Sequence, residues 1–355
     1  MRIVLSFATA VDWHEGHPLA RALRAAGHVV RIVDVTPARG STSVDGVEPF
    51  EAGVPLDEVL RDGELFFYIE PGGLVPRRLE RAPCRTVCAL ADVNVSLAPR
   101  LDLSLLFDDV LIYRFGFAQH FAEHEPGHVR TFPLAIDPAL FHPPGEGEVR
   151  DLDVAFHGQR HGVWSTRAPF LDRLRTRYRM NDPGEWLPPA GVAETYRRAR
   201  IVVNPTVLDG LNPRIFEAMA CGALLMTSHD ASGVERLFDD GVHLVRFGDP
   251  DDLEARVAYY LAHEAERRRI ADAGCHEVLA KHTWAVRERE LFGGAGGAAP
   301  LTPLPGAAPA RRLSRRDVNG IYRRIYKQQG HARALARSGA WGAAARTLVR
   351  TRFAR

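Results

Sequence analysis

"LDGLNPRIFEAMACGALLMTS", residues 208–228, joins a polar turn, a helix and an apolar run. The run at 223–227 reads as a buried strand, and a second strand is expected at 201–204. If Asn212 or Pro213 opens the helix, the turn at 209–212 falls at the carboxyl edge of a parallel sheet, where open α/β sheets carry their ligands. The unpaired N–H groups and positive dipole end of a helix start favour anions such as a diphosphate. Gly210 lets the backbone approach such a group closely, and Arg214 adds charge in the first turn. Glu217, one turn further in, can accept paired hydrogen bonds from a sugar or ribose diol. A plainer reading makes Asp209 or Asn212 a helix cap and Glu217 a solvated or capping-box residue. However, Phe216, Ala218, Met219, Ala220 and Cys221 leave Glu217 little polar face. An unpaired buried carboxylate is costly, so a ligand or a cation is its expected partner.

The flanking sequence alternates short apolar runs with helical stretches over the first 290 residues, as expected of parallel sheets covered on both faces. Strands are expected at 3–7, 29–35, 65–69, 86–91, 110–113 and 129–132, with a helix over 17–26 that has Pro18 in its first turn. "EPGG" at 70–73 is a turn signal. The Pro-, Gly- and charge-rich stretch "LAIDPALFHPPGEGEVRD" (134–151) reads as a linker to a second domain. There, strands are expected at 152–156, 201–204, 223–227 and 244–247, and helices at 168–178, 192–198, 251–262 and 265–280. "GDPDD" (248–252) supplies N-cap chemistry. The expected organisation is a domain over 1–140, a second over 141–292, a low-complexity Gly/Ala/Pro linker over 293–310 and a helix-prone basic tail over 311–355.

A chain of 355 residues with 46% hydrophobic and 25% charged residues can build two or three cored domains. No apolar run approaches a membrane span, the start lacks the pattern of a secretory signal, and the four cysteines lack metal or redox spacing. A cytoplasmic protein with buried thiols is expected. The net charge of +2 conceals an asymmetry: residues 311–355 hold 13 Lys and Arg against Asp317 alone, a net of +12 that leaves −10 on residues 1–310. Val318, Ile321, Tyr322 and Ile325 recur at helical spacing in that tail. An anionic membrane surface is one expected partner of residues 311–355, a solvated or partner-docked helix the other reading; specific nucleic-acid binding is not expected. There is no G-x-G-x-x-G after the first strand, no P-loop and no G-x-S-x-G elbow, so dinucleotide oxidoreduction and serine hydrolysis lose their usual anchors.

The stretch 208–228 resembles the signature of retaining GT-B glycosyltransferases, in which two acidic residues separated by seven positions precede an A-M-A-x-G helix. "LNPRIFEAMACGALLMTS" is most similar to the version carried by the spore-maturation CgeB-like group. "LAIDPALFHP", "DVAFHG", "YIEPGGLVPRRLERAPCRTVCALADVN" and the closing segment 232–292 resemble the corresponding parts of such enzymes. The resemblance implies an α/β GT-B fold, two Rossmann-like parallel-sheet domains facing a cleft, with the basic helical tail appended. It implies transfer of a sugar from a nucleotide-sugar co-substrate to an unidentified acceptor, with retention and without metal or cofactor.

Carried over by position, Glu217 matches the residue that binds the nucleotide's ribose, and Asp209 stands near the transferred sugar where a Glu is usual. Gly210, Leu211 and Asn212 match the turn that meets the diphosphate, and Arg214 matches the family's Arg. Arg167, with Arg160 as a second candidate, matches a basic position that stabilises the leaving diphosphate. Acceptor-side contacts are expected from His14, Glu15 or His17 in "VDWHEGHP" and from Asp92 and Asn94. Two further readings stay open: a GT-B sugar-nucleotide epimerase, and a non-catalytic GT-B protein recruited through its tail.

Overall fold

The fully buried runs Leu65–Ile69, Arg85–Leu90 and Asp109–Ile112 have the two-sided burial of inner strands in a parallel sheet. They belong to a computed structural model that describes residues 1–35, 45–94, 96–124, 128–160, 162–206, 211–231, 233–293, 301 and 313–328. The chain divides into two units, one built from Met1–Tyr113, Phe117–Phe132 and the chain from Glu288 onward, the other from Arg114–Gly116 and Pro133–Arg287.

In the first unit the elements run β1 (Arg2–Ser6), α1 (Gly16–Ala25), β2 (Val29–Val35), β3 (Val47–Phe50), α2 (Leu56–Leu60), β4 (Leu65–Ile69), β5 (Arg85–Leu90), α3 (Ala98–Ser104), β6 (Asp109–Ile112), α4 (Ala118–Glu123) and β7 (His128–Thr131). All seven strands are parallel, in the order β3-β2-β1-β4-β5-β6-β7. The edge strands β3 and β7 are the least buried, which explains why β3, with Pro49 inside it, carries no clear strand pattern in sequence. The loops at the carboxyl edge are tied down locally. Asp34 at the end of β2 accepts from the Thr9 N–H at 2.7 Å and the Thr9 hydroxyl at 2.8 Å. Gly73, at φ 76°, lies so close to the Phe7 backbone that a Cβ there would collide with it.

The second unit contains β8 (Leu152–Ala155), α5 (Ala168–Arg177), α6 (Pro189–Arg198), β9 (Ala199–Asn204), α7 (Pro213–Ala220), β10 (Leu224–Ser228), β11 (Val245–Phe247), α8 (Pro250–Ala262) and α9 (Glu264–Lys281). Its parallel sheet has the order β11-β10-β9-β8. Asp249 caps α8 by accepting from the Asp251 and Asp252 N–H groups, as "GDPDD" predicts. The expected linker at 134–151 belongs to this unit: Leu134, Ile136 and Phe141 are buried, and the Ile136 N–H donates to the His282 carbonyl at 2.9 Å. Its Pro and Gly content describes an irregular path, and the buried apolar residues within it decide the packing.

After α10 (Trp284–Phe292) the chain returns to the first unit as α11 (Arg315–Gln328). The Asp317 N–H donates to the Ser314 hydroxyl oxygen at 3.2 Å, which gives the helix a local start. Val318, Ile321, Tyr322, Ile325 and Tyr326 are all buried in the first unit's core cluster. Over this segment the basic stretch is a helix whose apolar stripe packs on the first unit's core. An apolar stripe already covered by protein is not available to a membrane, and the arginines on the opposite face are exposed. Residues 329–355 and most of 293–310 lie outside the described residues, although Leu301 is buried and its N–H donates to the Leu291 carbonyl at 2.6 Å. Among the described residues no helix is long and apolar enough to cross a membrane.

Removing the buried Ile321 side chain tests this seat. Ile321→Ala should lower the unfolding free energy by about 2–5 kcal/mol, the usual cost of truncating a core isoleucine. Urea denaturation of the full chain reads it, and a loss under about 0.5 kcal/mol, the level of a neutral surface change, would mean that α11 is not packed there.

Candidate functional site

The short segment at Met180 bridges to Val154 on the side of β8 away from β9, so chain winding reverses at β8. In open α/β sheets the crevice beyond the strand ends at such a reversal receives ligands. Here those ends are Phe156, His157 and Gly158 after β8, and Asn204 and Pro205 at and after β9.

Two arginines converge on this edge. Arg214, in the first turn of α7, donates from Nε to the His157 carbonyl at 2.8 Å and from Nη1 to Asn204 Oδ1 at 2.6 Å; its Nη2 also reaches His157 O. Arg167, just before α5, donates from Nε to the Pro205 carbonyl at 2.9 Å and from Nη1 to the Gln159 carbonyl at 2.8 Å. Both guanidinium groups lie over the Phe156 ring, at 4.4 Å for Arg214 and 5.6 Å for Arg167. Burial, and then the neighbouring Arg214 cation, lower the Arg167 pKa to about 9, which leaves it charged at neutral pH. A Cβ on Gly158, whose φ is 152°, would collide with the Arg214 guanidinium, so the glycine makes room for this arrangement.

Asn204 is fully buried and connects three elements. Its Oδ1 accepts from Arg214 and, at 3.1 Å, from Asn212 Nδ2, while its own Nδ2 donates to Thr227 Oγ1 at 2.9 Å. Asn212 holds the N-cap position of α7 with an extended backbone, but its side chain makes no cap hydrogen bond, and its buried Oδ1 lacks a partner among the described residues. Side-chain capping by Asn212 is therefore ruled out by where its amide points. Leu211 is buried, which leaves only its backbone to meet a ligand.

Glu217 lies one turn along α7, half-buried. Among the described residues no hydrogen bond or ion pair reaches its carboxylate. Although part of its surface is open, it sits deep enough that burial raises its pKa from 4.5 to about 7, against the lowering effect of Arg214. The Arg214 guanidinium is committed to His157 and Asn204, so it supplies field without a direct bond.

The other expected residues are placed differently. Asp209 and Gly210 lie outside the described residues. Arg160 pairs with Asp172 at 3.2 Å. His14, in the first unit, is 2% exposed and has both ring nitrogens engaged: Nδ1 accepts from the Gly16 N–H at 3.0 Å and Nε2 faces the Pro71 carbonyl at 3.1 Å. Burial lowers its pKa to about 4, so the ring is neutral at pH 7. Asp92 is exposed and adopts a left-handed φ of 47°, tolerated by a short polar side chain.

Sequence reading missed the supports. Arg150, at the end of the supposed linker, donates from Nη1 to the carbonyls of Tyr196, Arg197 and Ala199 at 3.4, 2.9 and 2.6 Å. From Nη2 it reaches Cys221 and Gly222 at 2.8 and 2.7 Å. One cation thus satisfies the carboxyl ends of α6 and α7 together. An arginine distant in sequence from both helices gives no local sign of this role.

Residues 141–293 match a protein-family model described as "Glycosyl transferase-like". No protein of curated function matches the chain. Among solved structures, the chain is similar to sucrose-phosphate synthase from Thermosynechococcus elongatus at 15% identity and a TM-score of 0.58, covering 82% of this chain and 97% of that one. Anabaena HepE in complex with UDP and glucose gives 12% identity and a TM-score of 0.60, over 82% and 98%. The DNA-modifying enzyme β-glucosyltransferase, studied with and without uridine diphosphoglucose, gives 13% and 0.52, over 82% and 96%. At such identities the likeness establishes the fold, which is GT-B, and the match to the glycosyl transferase-like family model is confined to residues 141–293.

Arg150→Ala would leave five helix-end carbonyls without their cation, so a loss of at least about 3 kcal/mol is expected from the usual cost of orphaned buried groups. Urea denaturation checks this, and an effect below about 1 kcal/mol would show that water replaces the guanidinium without penalty.

Proposed function

We propose that this protein is a GT-B glycosyltransferase that moves a sugar from a nucleotide-sugar donor to a hydroxyl-bearing acceptor. The observation that carries the reading is the Glu217 carboxylate: raised in pKa, without a hydrogen-bond partner among the described residues, one turn into α7 of a glycosyl transferase-like domain. A ribose diol supplies the two donors that such a carboxylate lacks. The start of α7, uncapped by Asn212, supplies N–H groups and a positive dipole end for the diphosphate. Arg167 and Arg214 add positive potential at the same edge while remaining bound to backbone carbonyls.

In the proposed reaction the bond from the sugar's anomeric carbon to the diphosphate breaks, a bond to the acceptor oxygen forms, and the acceptor's proton passes to the departing diphosphate. Cations and a helix start fixed in advance stabilise charge as it develops on the leaving group. Retention of configuration, independence from metal and membership of the CgeB-like group are part of this proposal. They are supported by the spacing of Asp209 and Glu217 and by the wording of "LNPRIFEAMACG". UDP-glucose is the first donor to try, because the HepE structures hold UDP with glucose or UDP-glucose and uridine diphosphoglucose is the substrate of the β-glucosyltransferase.

A panel of UDP-, GDP-, ADP- and dTDP-sugars, followed by nucleotide release, tests transfer. Release is expected with at least one donor, epimer formation without release would replace the reading with an epimerase, and binding without turnover would replace it with a binding protein. EDTA should leave the rate of release unchanged if the reaction needs no metal.

Titration of Glu217 gives a sharper check. Because its folded pKa is raised from 4.5 to about 7, the stability contributed by the neutral acid is complete below 4.5 and lost as pH rises through 7. A diol, by contrast, needs the ionised form. Donor affinity should therefore rise about tenfold between pH 6 and pH 8, following the ionised fraction. Glu217→Gln should weaken binding and flatten that profile; a folded Gln variant with the wild-type profile would remove Glu217 from the site.

A further inference from the structure

The first sheet also has a reversal of winding: β2 and β3 lie on one side of β1, and β4 to β7 on the other. At the carboxyl ends of β2 and β4 is a cavity of about 390 Å³. Its polar side comes from Asp34, Glu70 and Arg100, and its apolar side includes Tyr68, Leu103 and Ile325. Its volume falls within the range of small-molecule pockets.

Glu70 and Arg100 are 8% and 7% exposed and form a direct pair, Arg100 Nε to Glu70 Oε2, at 2.7 Å. Arg100 also donates to the Ala91 and Ser96 carbonyls at 2.8 and 2.7 Å, which fixes the guanidinium. The second carboxylate oxygen of Glu70 has no hydrogen-bond partner among the described residues. Asp34 is already committed to Thr9 and to the Val35 N–H. The lining therefore presents an unfilled acceptor beside a cation.

That combination selects against charged ligands. A cation would meet the Arg100 guanidinium and an anion would meet the Glu70 and Asp34 carboxylates, each in a partly desolvated setting. A neutral ligand with adjacent hydroxyls meets neither penalty, because a hydroxyl can donate to Glu70 and its neighbour can accept from Arg100. Burial raises the Glu70 pKa to about 7 in spite of Arg100, with Asp92 adding to the rise. Hydroxyl donors would therefore stabilise its anion.

The wall contributed by Ile325 comes from α11 and is held in place at several points. Tyr326 donates to the Val75 carbonyl at 3.0 Å, Tyr322 to Glu80 at 3.1 Å, and Arg324 Nη2 to Asp102 at 2.9 Å. We propose that this cavity binds a sugar ring of a carbohydrate acceptor, with Glu70 and Arg100 recognising a pair of hydroxyls and Ile325 of α11 shaping the pocket. The acceptor role rests on the glycosyl-transfer reading; sugar binding itself does not.

The test uses the full-length protein without donor and a panel of glucose, galactose, mannose, N-acetylglucosamine and sucrose, with binding read by saturation-transfer NMR. At least one sugar should bind. Ile325→Trp, which fills the cavity, should weaken that binding by about tenfold or more, a difference of roughly 1.4 kcal/mol. Glu70→Gln, which keeps the shape but removes the anion, should also weaken it and decides the matter if the Trp variant fails to fold. Failure of every sugar to bind, or equal binding by either folded variant, overturns the proposal. In a second arm the bound sugar should accelerate nucleotide release from the donor. Binding without acceleration, in a protein that binds and slowly hydrolyses donor, overturns the acceptor role. A protein that binds no donor at all refutes the glycosyl-transfer reading instead, and the NMR titration still decides the cavity.

Discussion

The buried guanidinium of Arg214 is the constraint around which the carboxyl edge of the second unit's sheet is arranged. A cation 8% exposed needs acceptors, and it finds them in the His157 carbonyl after β8 and the Asn204 side chain at the end of β9, with the Phe156 ring beneath. These bonds tie the start of α7 to two strand ends. They also require Gly158, since a side chain there would occupy the space of the guanidinium. With the start of α7 held by Arg214 and its end by Arg150, Glu217 has little freedom to move toward a partner. The cations are satisfied by backbone oxygens and the Asn204 side chain, and the carboxylate is left over. A local conflict of this kind, inside an otherwise consistent helix, is where function is expected.

The first unit shows a different balance. Its seat for α11 is built from apolar contact, two tyrosine hydroxyls and the Arg324–Asp102 pair at its rim, while the other arginines of the helix are exposed. The attraction between a chain carrying −10 over residues 1–310 and a tail carrying +12 is screened over about 8–10 Å in ordinary salt, so it cannot choose a single register. Interlocking side chains can, because burying each large apolar group contributes about 1.5–3 kcal/mol only where it fits. The same helix then acquires a second consequence: Ile325, placed by packing, becomes part of a cavity lined by Glu70 and Arg100.

How much was legible in the sequence follows from the range of each interaction. Strands β1, β4, β5 and β6 announce themselves because two-sided burial demands largely apolar runs. The α8 cap is equally plain, since Asp249, Asp251 and Asp252 are neighbours. Glu217 is legible as an isolated acid among small and apolar residues. The roles of Asn204, Gly158 and Arg150 are not, because each depends on partners brought together by the sheet. His14 shows the same limit: its loop position is visible in sequence, but the engagement of both its nitrogens by Gly16 and Pro71 is not.

By itself, then, the sequence determined the alternation of strand and helix, the polar turn before α7, the acid within that helix and the amphipathic stripe of α11. These are properties of neighbouring residues, set by the periods of helix and strand. Only the tertiary structure decided that Arg214 is occupied while Glu217 is not, that the stripe of α11 is covered by the first unit's core, and that Glu70 and Arg100 share a cavity with Ile325. Each of these depends on groups far apart in the chain competing for the same partner or the same space. That competition is resolved only when the sheets bring the groups together.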